Sequence, residues 1–326
     1  MNPSSPSGGP GSRQQSGNVT GDASSRASGS GGKTAIAYVR SIADVRASVA
    51  AARRQPDAVV GLVPTMGAFH EGHLSLMRAA RSRCSFVAVS VFVNPIQFGG
   101  TEDFNTYPRD LDRDLAMAAG AGADLLFAPP DSEMYPPGFE TAVEPGSIAT
   151  GLCGASRPGH FRGVATVVAK LLNIFSPDIA FFGQKDAQQA AVIRRMAADL
   201  DFDVEVSVEP IVREDDGLAM SSRNTYLEPD ERMQAVALFE ALSQARDAVA
   251  AGETSVARLR RQMKRKIAEH FLVDLEYVKV VDPATMEPVS AVEGPALAAV
   301  AARVGRTRLI DNMLLLPPEE TEPCAG

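Results

Sequence analysis

The stretch Ala58–His73, AVVGLVPTMGAFHEGH, joins a short apolar run to a polar turn that contains glycine. The apolar half, Ala58–Pro64, is typical of a strand buried in a parallel sheet. We expect Pro64 to end this strand and a helix to occupy His73–Arg81 after the turn. The stretch therefore predicts a strand, a turn and a helix, with polar side chains at the junction.

The same alternation of strand and helix continues on both sides of this stretch. A helix is predicted before it, over Ser41–Arg54, where Val45 and Val49 share one apolar face. After it we predict strands at Phe86–Val93, Ala123–Phe127, Ile179–Phe182 and Val204–Val212, and helices at Leu111–Ala121, Val164–Phe175 and Ala187–Leu200. Such alternation predicts an α/β fold with a doubly wound, Rossmann-like parallel sheet, which binds ligands at the carboxyl ends of its strands.

The pattern changes past Leu227 and predicts a second, smaller α+β domain. Its predicted helices are Pro229–Ala251 and Ser255–His270, and its predicted strands are Leu275–Val281 and Arg308–Met313. We therefore predict an N-terminal tail over 1–33, a larger ligand-binding domain over 34–212, a smaller lid domain over 213–316 and a C-terminal tail over 317–326. The first tail is rich in Ser, Gly and Pro, which predicts disorder.

Composition excludes several classes of function. The chain has 326 residues, 45% of them hydrophobic, and 40 acidic against 32 basic side chains give a net charge of −8. This acidic balance argues against nucleic acid as a partner. The three cysteines, Cys84, Cys153 and Cys324, show no CxxC spacing and predict neither a disulfide framework nor a cysteine-based zinc site. The lack of a signal peptide or a membrane-length apolar run predicts a cytoplasmic protein that does not use a membrane.

The first candidate site is the histidine pair His70 and His73, beside Gly67 and Gly72, where the predicted helix begins. A helix N-terminus offers free N–H groups and a positive dipole end, and imidazoles can donate hydrogen bonds to phosphoryl oxygens. A zinc site is an alternative, although H-E-G-H has neither the HExxH nor the HxxEH spacing. Burial of both rings in the core is another. Because two of only four histidines cluster beside glycines, the pattern favours phosphate binding.

Three further clusters follow predicted strands or the domain boundary. Asn94 and Gln97, after the second strand, offer amide groups for a ligand with hydroxyls and a carboxylate, although Asn-Pro is also ordinary turn chemistry. In the run FGQKDAQQ, Lys185 suits phosphate and Asp186 suits Mg²⁺, and the alternative is a surface pair. The run Met220–Asn224, MSSRN, could close over a triphosphate or could be an ordinary linker.

An H-x-G-H helix start followed by an M-S-x-[KR] loop resembles the HIGH and KMSKS signatures of the nucleotidylyltransferase superfamily. Longer runs are similar to the pantoate–β-alanine ligase (pantothenate synthetase) family over roughly Thr34–Leu316. These runs are PTMGAFHEGHLSLM, VFVNPIQF, YPRDLDRD, RPGHFRGVATVVAKL, FFGQKDAQQ and AMSSRNTYL. The sequence departs from the family at Gln184 and Ala187, where members often carry an acid and a bulky aromatic residue.

The resemblance implies a reaction in which pantoate, ATP and β-alanine give pantothenate through a pantoyl adenylate, with release of pyrophosphate and AMP. It also implies Mg²⁺ and a homodimer. By resemblance, the catalytic groups are His70, His73 and Lys185, the metal ligand is Asp186, and pantoate is held by Met66, Asn94, Gln97 and Gln189. The implied ATP-binding residues are Pro64, Thr65, Met66, Gly67, His73, Gly183, Lys185, Asp186, Val212, Met220, Ser221, Ser222 and Arg223.

Two other functions remain open on the residues alone. A nucleotidylyltransferase would attach a nucleotide to a phosphorylated acceptor and stop there, and a nucleotide-binding module would bind without turnover. The lack of a nucleophilic triad is expected for adenylation, because an ionised carboxylate attacks without a general base and mainly needs positioning and charge neutralisation.

Overall fold

A computed structural model describes residues 36–100 and 103–318, so the predicted tail 1–33 and most of the predicted tail 317–326 lie outside the described residues. Within the described part, six strands form one parallel sheet in the order β1-β4-β3-β2-β5-β6. These strands are β1 (Ala37–Val39), β2 (Val60–Thr65), β3 (Phe86–Val91), β4 (Leu125–Phe127), β5 (Ile179–Gly183) and β6 (Glu205–Glu209).

Helices pack on both faces of this sheet. They are α1 (Ile42–Ala52), α2 (Glu71–Arg83), α3 (Leu111–Gly120), α4 (Asp131–Met134), α5 (Leu152–Ser156), α6 (His160–Phe175) and α7 (Ala187–Asp199). Successive strand residues point to opposite faces. Leu62 of β2 therefore packs in a core with α1, α6 and α7, whereas Val63 packs in a second core with α2 and α3. The predicted doubly wound α/β fold is confirmed.

The order of the strands reverses between β2 and β5, which are neighbours at the centre of the sheet. From β2 the chain crosses to β3 on one side, and from β5 it crosses to β6 on the other. Diverging connections leave a crevice beyond the carboxyl ends of the two central strands, and open α/β sheets bind ligands there. The loops that begin at Met66 and Gln184 border this crevice.

A smaller antiparallel sheet follows, with the strand order β7-β8-β9. Its elements are α8 (Pro229–Gln234), α9 (Ala237–Ala250), α10 (Val256–Ile267), β7 (Val273–Val281), β8 (Ala296–Val304) and β9 (Thr307–Leu315). One face of β8, including Ala298 and Val300, packs in a core with α9 and α10. Leu297 and Ala299, on the other face, join a core of the large sheet. The predicted second, smaller unit is confirmed, and its exact boundary at residue 212 stays a prediction.

Several predicted elements differ from the structure. Strands β1 and β8 were not predicted, and the predicted helix Pro229–Ala251 is wrong, because a turn at Ala235 and Val236 separates α8 from α9. Pro64 does not end its strand. It pairs in register with Ser90 of β3, while the pairing of β2 with β5 ends at Leu62, so no ladder bond to β5 is required of residue 64. No helix among the described residues is long and apolar enough to cross a bilayer.

Candidate functional site

A cavity of about 220 Å³ lies at the central crevice, and loops that are distant in sequence line it together. Every predicted site residue except Gly67 contributes to its wall: Pro64, Thr65, Met66, His70, His73, Asn94, Gln97, Gly183, Lys185, Asp186, Gln189, Val212, Met220, Ser221, Ser222 and Arg223. The structure thus brings together the residues that follow β2, β3 and β5 and those of the segment 210–223. The roles of the individual residues in binding stay predictions.

Gly67 shapes the loop after β2 and does not line the cavity. Its φ of 86° lies in the left-handed region, as does the φ of 53° at Ala68. The carboxylate of Asp114, on α3, accepts hydrogen bonds from the backbone N–H groups of Ala68 (2.8 Å) and Phe69 (2.7 Å). This buried acid was not predicted, since an acid in the first turn of a helix usually only favours the helix dipole. It fixes the turn that delivers His70.

His70 caps the N-terminus of α2, and His73 bonds back to the backbone of His70. These two hydrogen bonds determine which ring nitrogen of each imidazole carries the proton. Nδ1 of His70 accepts from the backbone N–H of Gly72 at 3.1 Å. Nδ1 of His73 accepts from the backbone N–H of His70 at 3.4 Å. A neutral imidazole that accepts at Nδ1 must carry its proton on Nε2. Both rings can therefore donate from Nε2, and their centroids lie 4.1 Å apart.

Electrostatics keep both rings neutral. Burial, and then the positive charge of Lys185, lower the pKa of His70 from 6.5 to about 4, against the opposing effects of Asp186 and Glu214. Burial, His70 and Lys185 lower the pKa of His73 well below its ordinary value. Lys185 lines the same cavity as both rings. The site thus combines two neutral donors with the Lys185 ammonium group, a set suited to a polyphosphate.

Asn94 and Gln97 are buried and held in a hydrogen-bond network. The amide nitrogen of Asn94 donates to Oε1 of Gln97 (3.0 Å) and to the carbonyl of Gly163 (3.1 Å), and its Oδ1 accepts from the Tyr135 hydroxyl (2.7 Å). Nε2 of Gln97 lies 3.2 Å from Sδ of Met66. Both protons of the Asn94 amide are thus used within the protein. One lone pair of its Oδ1 remains for a ligand hydroxyl to donate to.

Gly163 of α6 lets the turn that carries Gln97 pack directly on the helix. A Cβ placed at residue 163 would lie 2.4 Å from the carbonyl oxygen of Ile96 and 2.5 Å from Cα of Gln97. Both contacts are with backbone atoms, which cannot swing aside. The glycine in the run RPGHFRG is therefore required for the position of this turn.

The segment after Met220 is tied to the loop that precedes α3. The Arg223 guanidinium pairs with both carboxylate oxygens of Asp103, at 2.8 and 2.9 Å, and Oγ of Ser222 lies 3.3 Å from the Tyr107 hydroxyl. The Tyr226 hydroxyl donates to the carbonyl of Thr106 at 3.3 Å. Two loops thus meet over the cavity, and Arg223, predicted to bind phosphate, has a carboxylate partner in this structure.

Tyr107 and His160 also line the cavity, although the sequence did not predict them as site residues. Nδ1 of His160 lies 2.9 Å from the carbonyl oxygen of Gln97, so this nitrogen donates and supports the turn after β3. Its position in the run RPGHFRG, at the start of a strongly apolar helix, gave no signal of its own. A larger cavity of about 770 Å³ adjoins the site and shares Lys185, Asp186 and Gln189 with it.

Comparison with known proteins identifies the family. The family model described as pantoate-beta-alanine ligase matches residues 37–314. The chain belongs to the pantoate-β-alanine ligase family. The pantothenate synthetase of Heliobacterium modesticaldum is 54% identical over 279 residues, which are 85% of this chain and 99% of that protein. The pantothenate synthetase of Pelotomaculum thermopropionicum is 52% identical over 274 residues, 84% of this chain and 97% of that protein.

Solved structures of pantoate-β-alanine ligases have the same fold. The pantothenate synthetase of Thermus thermophilus superposes with a TM-score of 0.82 at 46% identity, over 86% of this chain and 100% of that one. The Francisella tularensis pantoate-β-alanine ligase, complexed with beta-gamma ATP and β-alanine, gives a TM-score of 0.71 at 33% identity, over 86% and 98% of the two chains.

Proposed function

We propose that the protein joins pantoate to β-alanine in two steps that share the cavity at the centre of the sheet. In the first, a pantoate carboxylate oxygen bonds to the α-phosphorus of ATP while the bond to the bridging oxygen breaks and pyrophosphate leaves. In the second, the β-alanine nitrogen bonds to the acyl carbon, loses a proton, and AMP leaves. The observation that carries this proposal is the convergence of His70, His73, Lys185 and Ser222 on one cavity in a member of this family.

The first step needs charge stabilisation more than proton transfer. The attacking carboxylate is already ionised at neutral pH, so no general base is required. Negative charge accumulates on the phosphate oxygens as pyrophosphate departs. The Nε2–H groups of His70 and His73 would donate to these oxygens, and the Lys185 ammonium would neutralise their charge. Fixed donors stabilise such charge without reorganising during the reaction, and each is worth about 10²–10³ in rate.

Arg223 and Ser222 would bind the phosphates from the other side of the cavity. In the structure they hold Asp103 and Tyr107 instead. We propose that phosphate competes with Asp103 for the Arg223 guanidinium, because both are oxyanions that suit its planar pair of donors. The loop contacts would also help to keep water away from the acyl adenylate, which water would otherwise hydrolyse.

The turn after β3 would hold pantoate. A pantoate hydroxyl would donate to the remaining lone pair of Asn94 Oδ1, and the second proton of the Gln97 amide would reach a ligand oxygen. Gln189 and Met66 would border the same end of the cavity. These groups are uncharged, so they would orient the acid without neutralising the carboxylate that must attack.

Mg²⁺ fits this site through Asp186. Among the described residues, no group of three His, Cys, Asp or Glu side chains could hold a metal ion by itself. Mg²⁺ commonly uses one or two carboxylates and takes its other ligands from substrate phosphates and water. Asp186, which lines the cavity beside Lys185, would be such a carboxylate. When bound, the ion would neutralise phosphate charge.

We further propose that the enzyme acts as a homodimer, as the resemblance implies, and that it is located in the cytoplasm. Light scattering during gel filtration tests the dimer, which a monomer mass at assay concentration would refute. Cell fractionation with activity measurement tests the location.

The deciding experiment measures AMP release with ATP, pantoate, β-alanine and Mg²⁺, leaving out one component at a time. We expect AMP only when both pantoate and β-alanine are present, and Mg²⁺ dependence in addition. A parallel reaction supplies a phosphorylated acceptor in place of pantoate and measures pyrophosphate. Pyrophosphate release there would indicate a nucleotidylyltransferase, and ATP binding without AMP in the first assay would indicate a binding module. Either result would overturn the proposal.

A further inference from the structure

Asn312 of β9 contacts the turn that carries Lys185, although it belongs to the other sheet. Its amide nitrogen donates to the carbonyl of Gln184 and to the carbonyl of Lys185, both at 2.9 Å. Its Oδ1 accepts from Nε2 of Gln184 at 3.0 Å. The side chain is almost completely buried, with 4% of the residue exposed. Each polar group of this amide is therefore matched to one short turn at the edge of the site.

The neighbouring residue keeps Asn312 in place. Asp311 forms a bidentate ion pair with Arg213, with N···O distances of 2.7 and 3.0 Å, and the same guanidinium donates to the carbonyl of Gly217. Asp311 also accepts from the backbone N–H of Asn312 at 2.7 Å. The strand that presents Asn312 is thus fixed to the segment 213–217 beside the cavity. These bonds hold the backbone from which the Asn312 amide contacts the Lys185 turn.

We propose that Asn312 is a positioning residue for Lys185 in the reaction proposed above, on which this inference rests. The residues Gln184–Asp186 form a single 3₁₀ turn between β5 and α7, and a turn this short has few hydrogen bonds of its own. The two donors of Asn312 hold the carbonyls of Gln184 and Lys185, which lie on either side of the Lys185 Cα. Lysine has a long flexible stem, so the place from which the stem starts decides how well the ammonium meets the phosphates.

The proposal assigns part of the site to the smaller sheet. Lys185 follows β5 of the large sheet, yet its backbone is held from β9. A displacement of a charged group by about 1 Å can lower a rate by about 10²-fold. Removing the Asn312 amide would also take the side-chain donors away from two partly buried carbonyls, which favours movement of the turn.

The test uses Asn312→Ala and the isosteric Asn312→Asp in the full chain, with single-turnover measurement of adenylate formation. We expect the rate constant to fall by about 10- to 100-fold in both variants. The KM for pantoate should stay within about twofold, because Asn94 and Gln97 are untouched. Asn312→Asp keeps the shape of the side chain but cannot donate to the two carbonyls when it is ionised, so the two variants remove the same hydrogen bonds in different ways. A merely structural role would lower thermal stability and leave the rate constant per folded molecule unchanged.

A double-mutant cycle with Lys185→Ala separates positioning from general damage. If Asn312 acts through Lys185, Asn312→Ala should cost less than about threefold in the Lys185→Ala background, because coupled residues are not additive. An equal cost in both backgrounds would overturn the proposal. So would full activity of the folded Asn312 variants. If the parent protein itself forms no adenylate, the proposed function fails instead, and the two failures are distinguishable.

Two controls match the variant. Thr307→Val changes a buried residue of the same strand whose hydroxyl has no hydrogen-bond partner among the described residues, and it should leave the rate unchanged. Gln184→Ala removes the side-chain bond to Asn312 but keeps both backbone carbonyls, so the rate should fall by less than about fivefold. A Gln184→Ala loss as large as that of Asn312→Ala would contradict the assigned role of the backbone bonds.

Discussion

At the scale of single residues, the proposed reaction depends on the Nε2 protons of His70 and His73. Backbone N–H groups occupy Nδ1 of both rings, so the tautomers are set before any ligand arrives. Burial and Lys185 keep the rings uncharged at neutral pH by lowering the pKa of each. In the proposed reaction, substrate phosphates would therefore meet donors that are already oriented.

Replacing one of these donors should slow adenylate formation specifically. We expect His73→Ala and Lys185→Ala each to lower the single-turnover rate by about 10²–10³. His270→Gln is a matched control, because His270 lies outside both cavities, 3.4 Å from a carboxylate oxygen of Glu240. It should keep the parent rate within about twofold. Unchanged rates in the first two variants would contradict their roles.

The lowered pKa of His70 also makes stability depend on pH. Below pH 6.5 the unfolded chain takes up a proton at this residue, whereas the folded protein does so only near pH 4. Between pH 6.5 and pH 4 the unfolded state therefore binds more protons than the folded state, and the free energy of unfolding falls as the pH drops through this range. Between pH 7 and pH 5 we expect His70 alone to cost about 2 kcal/mol of unfolding free energy.

Urea unfolding of the parent and of His70→Gln at the two pH values measures this effect. The variant should lose less stability than the parent on acidification. Equal losses in the two proteins would show that the proton affinity of His70 does not differ between the folded and unfolded states.

At the scale of elements, α6 packs directly against the turn after β3. Gly163→Ala would place a methyl group against backbone atoms of Ile96 and Gln97. We expect a stability loss of about 1–3 kcal/mol, as for other overpacked sites. Because the turn must move, the KM for pantoate should rise by about tenfold or more.

Gly120→Ala provides the matched control for this substitution. Gly120 ends α3, and a Cβ there would meet no atom within 4 Å. Its KM for pantoate should equal that of the parent, and its stability should be equal or higher by up to about 1 kcal/mol, since alanine restricts the unfolded chain more than glycine does. A normal KM for pantoate in Gly163→Ala would separate this helix contact from substrate binding.

The elements also show how much the sequence could predict. The strand-helix alternation predicted the parallel sheet, and polar residues after predicted strands identified the cavity wall. Strand β8, ALAAVAARV, was missed because alanine is a strong helix former and both faces of the strand are buried, so no alternation marks it. Asp114 and Asn312 were missed because both make their contacts with residues far away in sequence.

For the whole molecule, the family match covers residues 37–314, so residues 1–33 lie outside it. We expect a chain lacking residues 1–33 to keep kcat and all KM values within about twofold, since the composition of the tail predicts no packed core. Steady-state AMP release by the shortened and full chains tests this. A large loss would mean that the tail takes part in catalysis or in the stability of the enzyme.

The meeting of β2 and β5 at the centre of the sheet has a consequence for biosynthesis of the chain. His70 is synthesised early and Lys185 much later. A growing chain therefore has no complete ATP site until β2 pairs with β5. Contacts of such long range form slowly. A nucleotide that binds only the completed site would stabilise the folded state by mass action. The time at which ATP begins to protect a newly synthesised chain against proteolysis would therefore show when the site is complete.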